Sequence, residues 1–258
     1  MKDNFRRLRI FILLFILATV LTTAWRTERH LRAWRGTLHV AIFPLNADGS
    51  AAANAHIASL TPEDFSVIAD YIAGQGKTHG LETLYPVRLH QGPQITRLPP
   101  PQPEQGGIFN AIRWSLAMRY WAWRHTPETE IRPDLRLYLL YHDPARTYRV
   151  PDSAGLAKGG IALAHVFASA DQHGSNLVIA THELLHTLGA SDKYDPATNL
   201  PLHPTGYAEP YLEPRYPQQF AEIMGGRIPE SSGRARIPSN LAETVIGPDT
   251  AREIGWRK

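Results

Sequence analysis

Two histidines, His182 and His186, and the glutamate between them are the residues whose types and spacing best suit chemistry. Side chains four residues apart on an α-helix lie on one face, so both imidazoles can reach one metal ion. Glu183 is offset around the helix and can lie beside that ion without binding it. Residues 177–179, just before the pair, are apolar and predict a buried helix. Burying two histidines and a carboxylate is costly unless they are paired, and a metal ion would remove that cost.

The residues that follow the histidines can complete a metal site. Gly189 is placed to end the helix, because glycine readily adopts the left-handed conformation that turns a chain back. Asp192, ten residues after His182, would then return a carboxylate to the same ion. Asp195, Glu222 or a water molecule are the alternatives for this third position. Two imidazoles, one carboxylate and an open fourth position suit zinc.

The segment HELLHTLGASD, residues 182–192, resembles the extended zinc motif of the metzincin metallopeptidases, His-Glu-x-x-His-x-x-Gly-x-x-His/Asp. Its last position is Asp192, as in the snapalysin-like enzymes, whereas most of the clan has histidine there. The clan also carries a methionine turn beneath the metal, and residues 221–226, AEIMGG, resemble that turn with Met224. The resemblance therefore implies zinc bound by the two histidines and Asp192.

The same resemblance implies a fold and an activity. The fold is α+β and zincin/metzincin-like, with a mixed twisted sheet, an active-site helix and an irregular C-terminal subdomain. The activity is hydrolysis of a peptide or protein substrate by a metal-activated water, with Glu183 as the general base. An extended peptide would pair with an edge strand, for which residues 160–168 fit by position. An internal strand is the alternative interpretation of those residues.

Two other functions are compatible with these residues. One is a narrow zinc amidase, which would differ from a general peptidase in the shape of its substrate pocket. The other is an inactive or non-proteolytic zincin-like domain that binds metal and acts as a membrane-tethered binding protein. Glu183 argues against inactivity, because a pure binding site does not need a general base.

The pattern of apolar residues predicts the elements that must position this site. Strands are expected at 37–45, 84–89, 135–142 and 159–169, and helices from Thr61, at 108–125, at 176–189 and at 241–256. Strands and helices alternate early and irregular structure dominates late, which favours α+β. In the helix at 108–125, apolar residues recur at helical spacing and predict a stripe facing the core: Phe109, Ile112, Leu116, Tyr120 and Trp123.

Composition narrows the class of protein further. The chain of 258 residues is 43% hydrophobic and 20% charged, which is typical of a globular protein with its own core. It contains no cysteine, so a disulfide framework, a cysteine-ligated zinc site and a thiol nucleophile are excluded. The net charge is only +3 and no basic face with interleaved aromatic residues is evident, so we expect no nucleic-acid partner.

Residues 1–35 are expected to form a separate segment. Four basic residues, the last of them Arg9, precede an apolar run at 10–24, a pattern typical of a signal anchor or of a cleaved signal peptide. We expect this run to associate with a membrane and residues 36–258 to form one metallopeptidase domain. The predicted localisation is the inner membrane, with a single pass and an exported domain. Secretion after cleavage of the segment is the alternative.

Overall fold

A five-stranded sheet lies at the centre of the protein in this computed structural model, which describes residues 9–12, 14–15, 18–19, 22, 29–103, 107–151, 153–156 and 160–256. The strands are β1 (Leu38–Asn46), β2 (Val87–Gln91), β3 (Leu135–His142), β4 (Ala154–Leu156) and β5 (Ile161–Phe167). They lie in the order β2-β1-β3-β5-β4. Neighbouring strands are parallel except β4, which runs antiparallel to β5 at one edge. The sheet is therefore mixed, as expected.

The central strands are apolar along almost their whole length. Every residue of β3 except Arg136 is buried, and in β1 only His39 and Asn46 are partly exposed. Near-continuous apolar strands are typical of parallel sheets that are covered on both faces. Because side chains alternate along a strand, Ile42 packs into one apolar cluster and Phe43 into the cluster on the opposite face.

Helices cover both faces of this sheet. They are α1 (Ala51–Ser59), α2 (Ser66–Thr78), α3 (Ile108–His125), α4 (His173–Thr187) and α5 (Pro248–Glu253). The buried apolar residues of α3 belong to the cluster on one face, and those of the other four helices belong to the cluster on the opposite face. The architecture is mixed α/β, with α4 and α3 separated by the thickness of the sheet.

The chain beyond α4 forms short elements. These are β6 (Ala221–Glu222), β7 (Ile228–Ser231), β8 (Arg234–Arg236), β9 (Thr244–Val245) and two 3₁₀ helices, Ile223–Gly225 and Leu241–Glu243. The single helix predicted at 241–256 is wrong, because β9 interrupts it by pairing with β6. Pro248 then begins α5, since proline lacks the backbone N–H that a continuing helix would need.

The apolar stripe predicted as core on α3 instead faces solvent. Phe109 is 85% exposed, Leu116 61% and Trp123 77%. The helix packs on the sheet through its other side: Met118, Trp121 and Ala122. Apolar spacing identified the helix correctly, but both of its sides carry apolar residues and spacing alone does not say which side meets the sheet.

The predicted N-terminal membrane segment falls partly outside the described residues. Among the residues that the structure describes, no helix combines the length and apolar character needed to cross a bilayer. Leu31 and Trp34, just after that segment, are buried, and the Trp34 indole N–H donates to the Ile254 carbonyl at 2.7 Å. Residues 31 and 34, which lie just before the domain boundary expected at residue 35, therefore pack against the domain.

The packing of α3 can be tested with two truncations on opposite sides of the helix. Met118→Ala should lower the free energy of unfolding by about 2–5 kcal/mol, because it leaves a cavity against the sheet. Leu116→Ala should change it by less than about 0.5 kcal/mol, since that side chain is exposed. Urea unfolding followed by circular dichroism measures both, and equal losses would contradict the observed orientation of the helix.

Candidate metal centre

Helix α4 presents the two histidines from a buried scaffold. Its apolar side packs into the main core through Leu177, Ala180, Leu184 and Leu185, among other residues. The side chains of His182 and His186 are 12% and 17% exposed, so they lie at the border of this core. Their rings meet nearly edge to face, with centroids 4.7 Å apart. The predicted helix and the shared face of the two imidazoles are both present.

The chain reverses directly after α4 through the glycine identified in the sequence. Gly189 has a φ of +104°, a conformation that strains residues with a Cβ. Ala190 N donates to the carbonyl of Leu185, and Gly189 N to that of His186, which satisfies the last carbonyls of the helix. The turn carries Asp192 back toward the histidines.

Asp192 lies between the two imidazoles. Its Oδ1 is 3.1 Å from Nε2 of His182 and 3.1 Å from Nε2 of His186. One potential ligand atom from each residue lies within 4.8 Å of the other two. Within the described ranges, this is the only group of three or more His, Asp or Glu side chains that meets in this way. These three residues could hold a metal ion.

The two alternatives for the third position have other partners. Asp195 accepts from the N–H of Ala197 at 2.8 Å, within its own loop. Glu222 is fully buried, and its carboxylate accepts hydrogen bonds from Met224 N, Gly225 N, Gly247 N and the Thr250 hydroxyl. Burial raises the pKa of Glu222, and the hydrogen bonds from Thr250, Gly247 and Gly225, together with the charge of Lys193, oppose that shift. Glu222 therefore ties the turn to α5 and does not approach the histidines.

Backbone carbonyls fix the tautomer of each histidine. They therefore determine that the nitrogen facing Asp192 is an acceptor in the neutral ring. Nδ1 of His182 lies 2.9 Å from the Ile223 carbonyl, and Nδ1 of His186 lies 2.8 Å from the Ala190 carbonyl. A carbonyl oxygen can only accept, so each Nδ1 carries a hydrogen. In the neutral rings, both Nε2 lone pairs then point at the Asp192 carboxylate. Such a contact between acceptors needs a cation between them, either a proton or a metal ion.

The pKa values of Asp192 and His182 are both shifted by their neighbours in this site. Burial opposes the charged form of Asp192, but hydrogen bonds from His182 and His186 outweigh it and hold the Asp192 pKa well below its ordinary value. Burial likewise favours neutral His182, but the hydrogen bond to Asp192 and the nearby charge of Glu183 outweigh it and raise the His182 pKa. The pocket is built for positive charge at its centre. Since the Asp192 side chain is 44% exposed, solvent can reach that centre.

Glu183 lies beside this group with an unused carboxylate oxygen. The residue is buried, and its Oε2 has no hydrogen-bond partner. Burial raises the Glu183 pKa, while the two imidazoles act in the opposite direction. A buried acceptor without a partner is costly, so its presence indicates a ligand or a proton that this oxygen receives in a working state.

The turn around Met224 lies beneath the histidines. Ile223, which begins its 3₁₀ helix, supplies the carbonyl that orients His182. Met224 is fully buried in the same apolar cluster as α4, and its carbonyl accepts from Lys193 N at 2.9 Å. Gly226 ends the turn with a φ of +71°. Residues 221–226 thus contact His182 through the Ile223 carbonyl and share the apolar cluster of α4 through Ile223 and Met224.

A carboxylate that the sequence did not reveal holds the loop bearing Asp192. Glu253, on α5, accepts from Ser191 N at 2.9 Å and from the Ser191 hydroxyl at 2.7 Å. It also accepts from the buried ammonium of Lys193 at 2.7 Å. Asp192 is therefore flanked on both sides by residues fixed to Glu253. Contacts across some 60 residues leave no local signal in a sequence, so this role could only be found in the structure.

The structure decides between the two interpretations of residues 160–168 in favour of an internal strand. An edge strand would present a free edge to a peptide, but β5 is internal and pairs with β3 on one side and β4 on the other. The three residues of β4, AGL, form the edge of the sheet instead. Tyr194, one of the tyrosines near the motif, has its ring 6.3 Å from that of His182.

Comparison with known proteins gives little further information. No family model and no curated protein matches the chain. Among solved structures it is similar to wild-type OgpA from Akkermansia muciniphila, with a TM-score of 0.38 and 11% sequence identity. The match covers 83% of this chain and 58% of that chain, so the protein spans a little over half the length of this neighbour. A likeness this distant does not define an activity, and the site itself must carry the functional argument.

Removing the support of the Asp192 loop should weaken metal binding without removing a ligand. Glu253→Ala deletes the acceptor for Ser191 and Lys193. Loss of a residue that positions a metal ligand without binding the metal lowers metal affinity by about 10–100-fold. Competition for Zn²⁺ with a chromophoric chelator measures the change. Asp249→Ala is the matched control on the same helix, because it removes only an exposed ion pair with Arg252. Equal affinities in the two variants would show that Asp192 is held without Glu253.

Proposed function

We propose that this protein is a zinc-dependent metallopeptidase with a metzincin-like active site. One observation carries the proposal: a single carboxylate oxygen of Asp192 lies 3.1 Å from both Nε2 atoms of the histidine pair, and both Nδ1 atoms are occupied by backbone carbonyls. This is the arrangement of a three-ligand site that leaves one position open. The turn at residues 221–226 and the mixed sheet with an antiparallel edge strand support the same proposal.

Zinc is the proposed metal because His, His and carboxylate form a mixed nitrogen and oxygen set that zinc favours in hydrolases. When bound, it would polarise a peptide carbonyl and ease the deprotonation of a water molecule. His182, His186 and Asp192 would hold it. Lone pairs and a carboxylate already converge there, so the residues fit the ion.

Glu183 is the proposed general base. Its unpartnered Oε2 accepts a proton as the oxygen of water forms a bond to the carbonyl carbon of the substrate. The carboxyl group then returns that proton to the amine as the bond from carbon to nitrogen breaks. Burial raises the Glu183 pKa toward the range in which a carboxyl group can both accept and release a proton. The electron pair of the carbonyl π bond moves to the carbonyl oxygen when water adds, and it re-forms that bond when the amine leaves.

We propose β4 as the strand that aligns the substrate. It forms the edge of the sheet, it contacts α4, and among the described residues no strand pairs with its outer side. An extended peptide or protein segment could add there through main-chain hydrogen bonds, as peptides do on other free sheet edges. The substrate would then run past the two histidines without needing a particular side chain for alignment.

The proposed location is an inner membrane, with a single pass formed by residues 10–24 and the domain from residue 36 onward exported. The basic residues before an apolar run support it. Release of the domain after cleavage of that segment is the second possibility. Extraction of the membrane fraction with alkaline carbonate distinguishes the two.

Replacement of the proposed base should separate metal binding from catalysis. Glu183→Gln keeps the size of the side chain and all three proposed ligands, but it cannot accept the proton. We expect one bound zinc per chain and at least about a hundredfold loss of peptide cleavage. The exposed Glu63→Gln variant is the control and should keep full activity. Undiminished cleavage by Glu183→Gln would remove the proposed base.

Removal of the metal should both abolish cleavage and lower thermal stability. Treatment with a chelator should reduce the melting temperature of the wild type, because an ion that binds only the folded state stabilises it. His186→Ala should melt at the same temperature with and without chelator. Re-addition of Zn²⁺ should restore cleavage of a peptide library by the wild type. A zinc-loaded wild type that cleaves nothing in the library would favour a non-proteolytic binding domain.

A further inference from the structure

Helix α3 carries an exposed apolar stripe on the face of the sheet opposite the metal centre. The stripe consists of five residues that are all more than half exposed: Phe109, Ile112, Leu116, Tyr120 and Trp123. It extends over fifteen residues, or about 21 Å along the helix axis. A contiguous apolar surface of this kind on a soluble domain usually marks an interaction site. No element among the described residues covers it.

Arginines border the stripe on both of its sides. With about 100° between successive helical residues, Arg113 and Arg124 fall along one border and Arg119 along the other. Arg113 and Arg124 are exposed, and the helix contains no aspartate or glutamate. Long arginine side chains can extend away from an apolar layer while their charged ends reach anionic groups. The surface therefore complements an apolar layer that is bordered by negative charge.

His30, which precedes the domain, lies at the end of the sheet where α3 ends. Nε2 of His30 lies 3.4 Å from Oδ1 of Asp134, the residue just before β3. The last turn of α3 reaches the same region, where Ala122 and Thr126 line a cleft with Arg136 at the start of β3. Several apolar residues of the N-terminal run are themselves exposed, among them Phe11 and Phe15. His30 therefore lies near the end of the sheet at which α3 ends, whereas Leu31 and Trp34 pack into the cluster on the opposite face.

We infer that α3 is a membrane-docking helix, whose stripe enters the interface of a bilayer containing anionic phospholipids while its arginines contact lipid phosphates. Tryptophan and tyrosine favour that interface because each combines an apolar ring with a polar group. Helices with aromatic and aliphatic residues on one side and basic residues beside them lie in this plane. The inference does not depend on the proposed peptidase activity, because it concerns residues on the other face of the sheet.

Docking through α3 would fix the orientation of the whole domain. The buried residues of α3 and of α4 lie in separate clusters on opposite faces of the sheet. With α3 in the bilayer interface, the metal centre would point away from the membrane. The occupant of the stripe would then be lipid rather than a second copy of the chain.

Absence of cysteine allows a direct test with the full-length chain. Leu116→Cys and Trp123→Cys would each be labelled with a polarity-sensitive fluorophore and reconstituted in vesicles of phosphatidylcholine and phosphatidylglycerol, with unbound protein removed by flotation. We expect emission to shift to shorter wavelength and to be quenched by lipids brominated near the headgroup. Ala55→Cys, an exposed position on α1 across the sheet, is the control and should show neither effect.

Charge reversal tests the contribution of the arginines. Arg113→Glu combined with Arg124→Glu should lower the ratio of docked to undocked stripe, read from quenching at Leu116→Cys, by at least roughly fivefold for each arginine replaced. Vesicles of phosphatidylcholine alone should reduce quenching in the same way. Circular dichroism of each variant establishes that the fold is retained.

Either of two results would overturn the inference. One is a Leu116→Cys label that stays as exposed to water as the Ala55→Cys label on anionic vesicles. The other is a label that shifts in wavelength without quenching by brominated lipid, together with rapid disulfide formation between Leu116→Cys chains. That second result would assign the stripe to a contact between two copies.

Discussion

The orientation of two imidazole rings by two backbone carbonyls is the constraint on which the candidate site depends. His182 and His186 present their Nε2 atoms to one common point because Nδ1 of each ring donates to a backbone carbonyl. One of those carbonyls belongs to Ala190, in the turn just after the helix, but the other belongs to Ile223. The ligand pair therefore comes from one helix, but its geometry requires a turn that lies about forty residues further along the chain.

Two buried or half-buried carboxylates connect that turn and the Asp192 loop to the end of the chain. Glu222 fastens the turn to Gly247 and Thr250, whereas Glu253 fastens residues 191 and 193. Burial opposes the ionised form of Glu253, but hydrogen bonds from Lys193 and Ser191 outweigh it and lower the Glu253 pKa. The short helix α5 is thus a support for the site as well as a part of the core.

The sequence was most informative where short-range rules apply. The bounds of α3 follow from apolar spacing, and the position of Asp192 follows from a helix ended by a glycine. It was wrong about the exposed side of α3 and left the position of β5 open, because both depend on long-range packing. Helix α1 was missed because only Ala53 and Ile57 on it are buried, which leaves little periodicity to detect.

The partners of Glu222 have a consequence for the order of events during synthesis. A carboxylate with two donors at residues 224 and 225 and two more at 247 and 250 is only half satisfied in a nascent chain whose later residues are still inside the ribosome. Until residues 247 and 250 emerge, the turn whose Ile223 carbonyl orients His182 lacks these two contacts to α5. The centre would therefore be completed only after residues 247–250 have been synthesised, when the strands of the central sheet, which all precede residue 168, are already available.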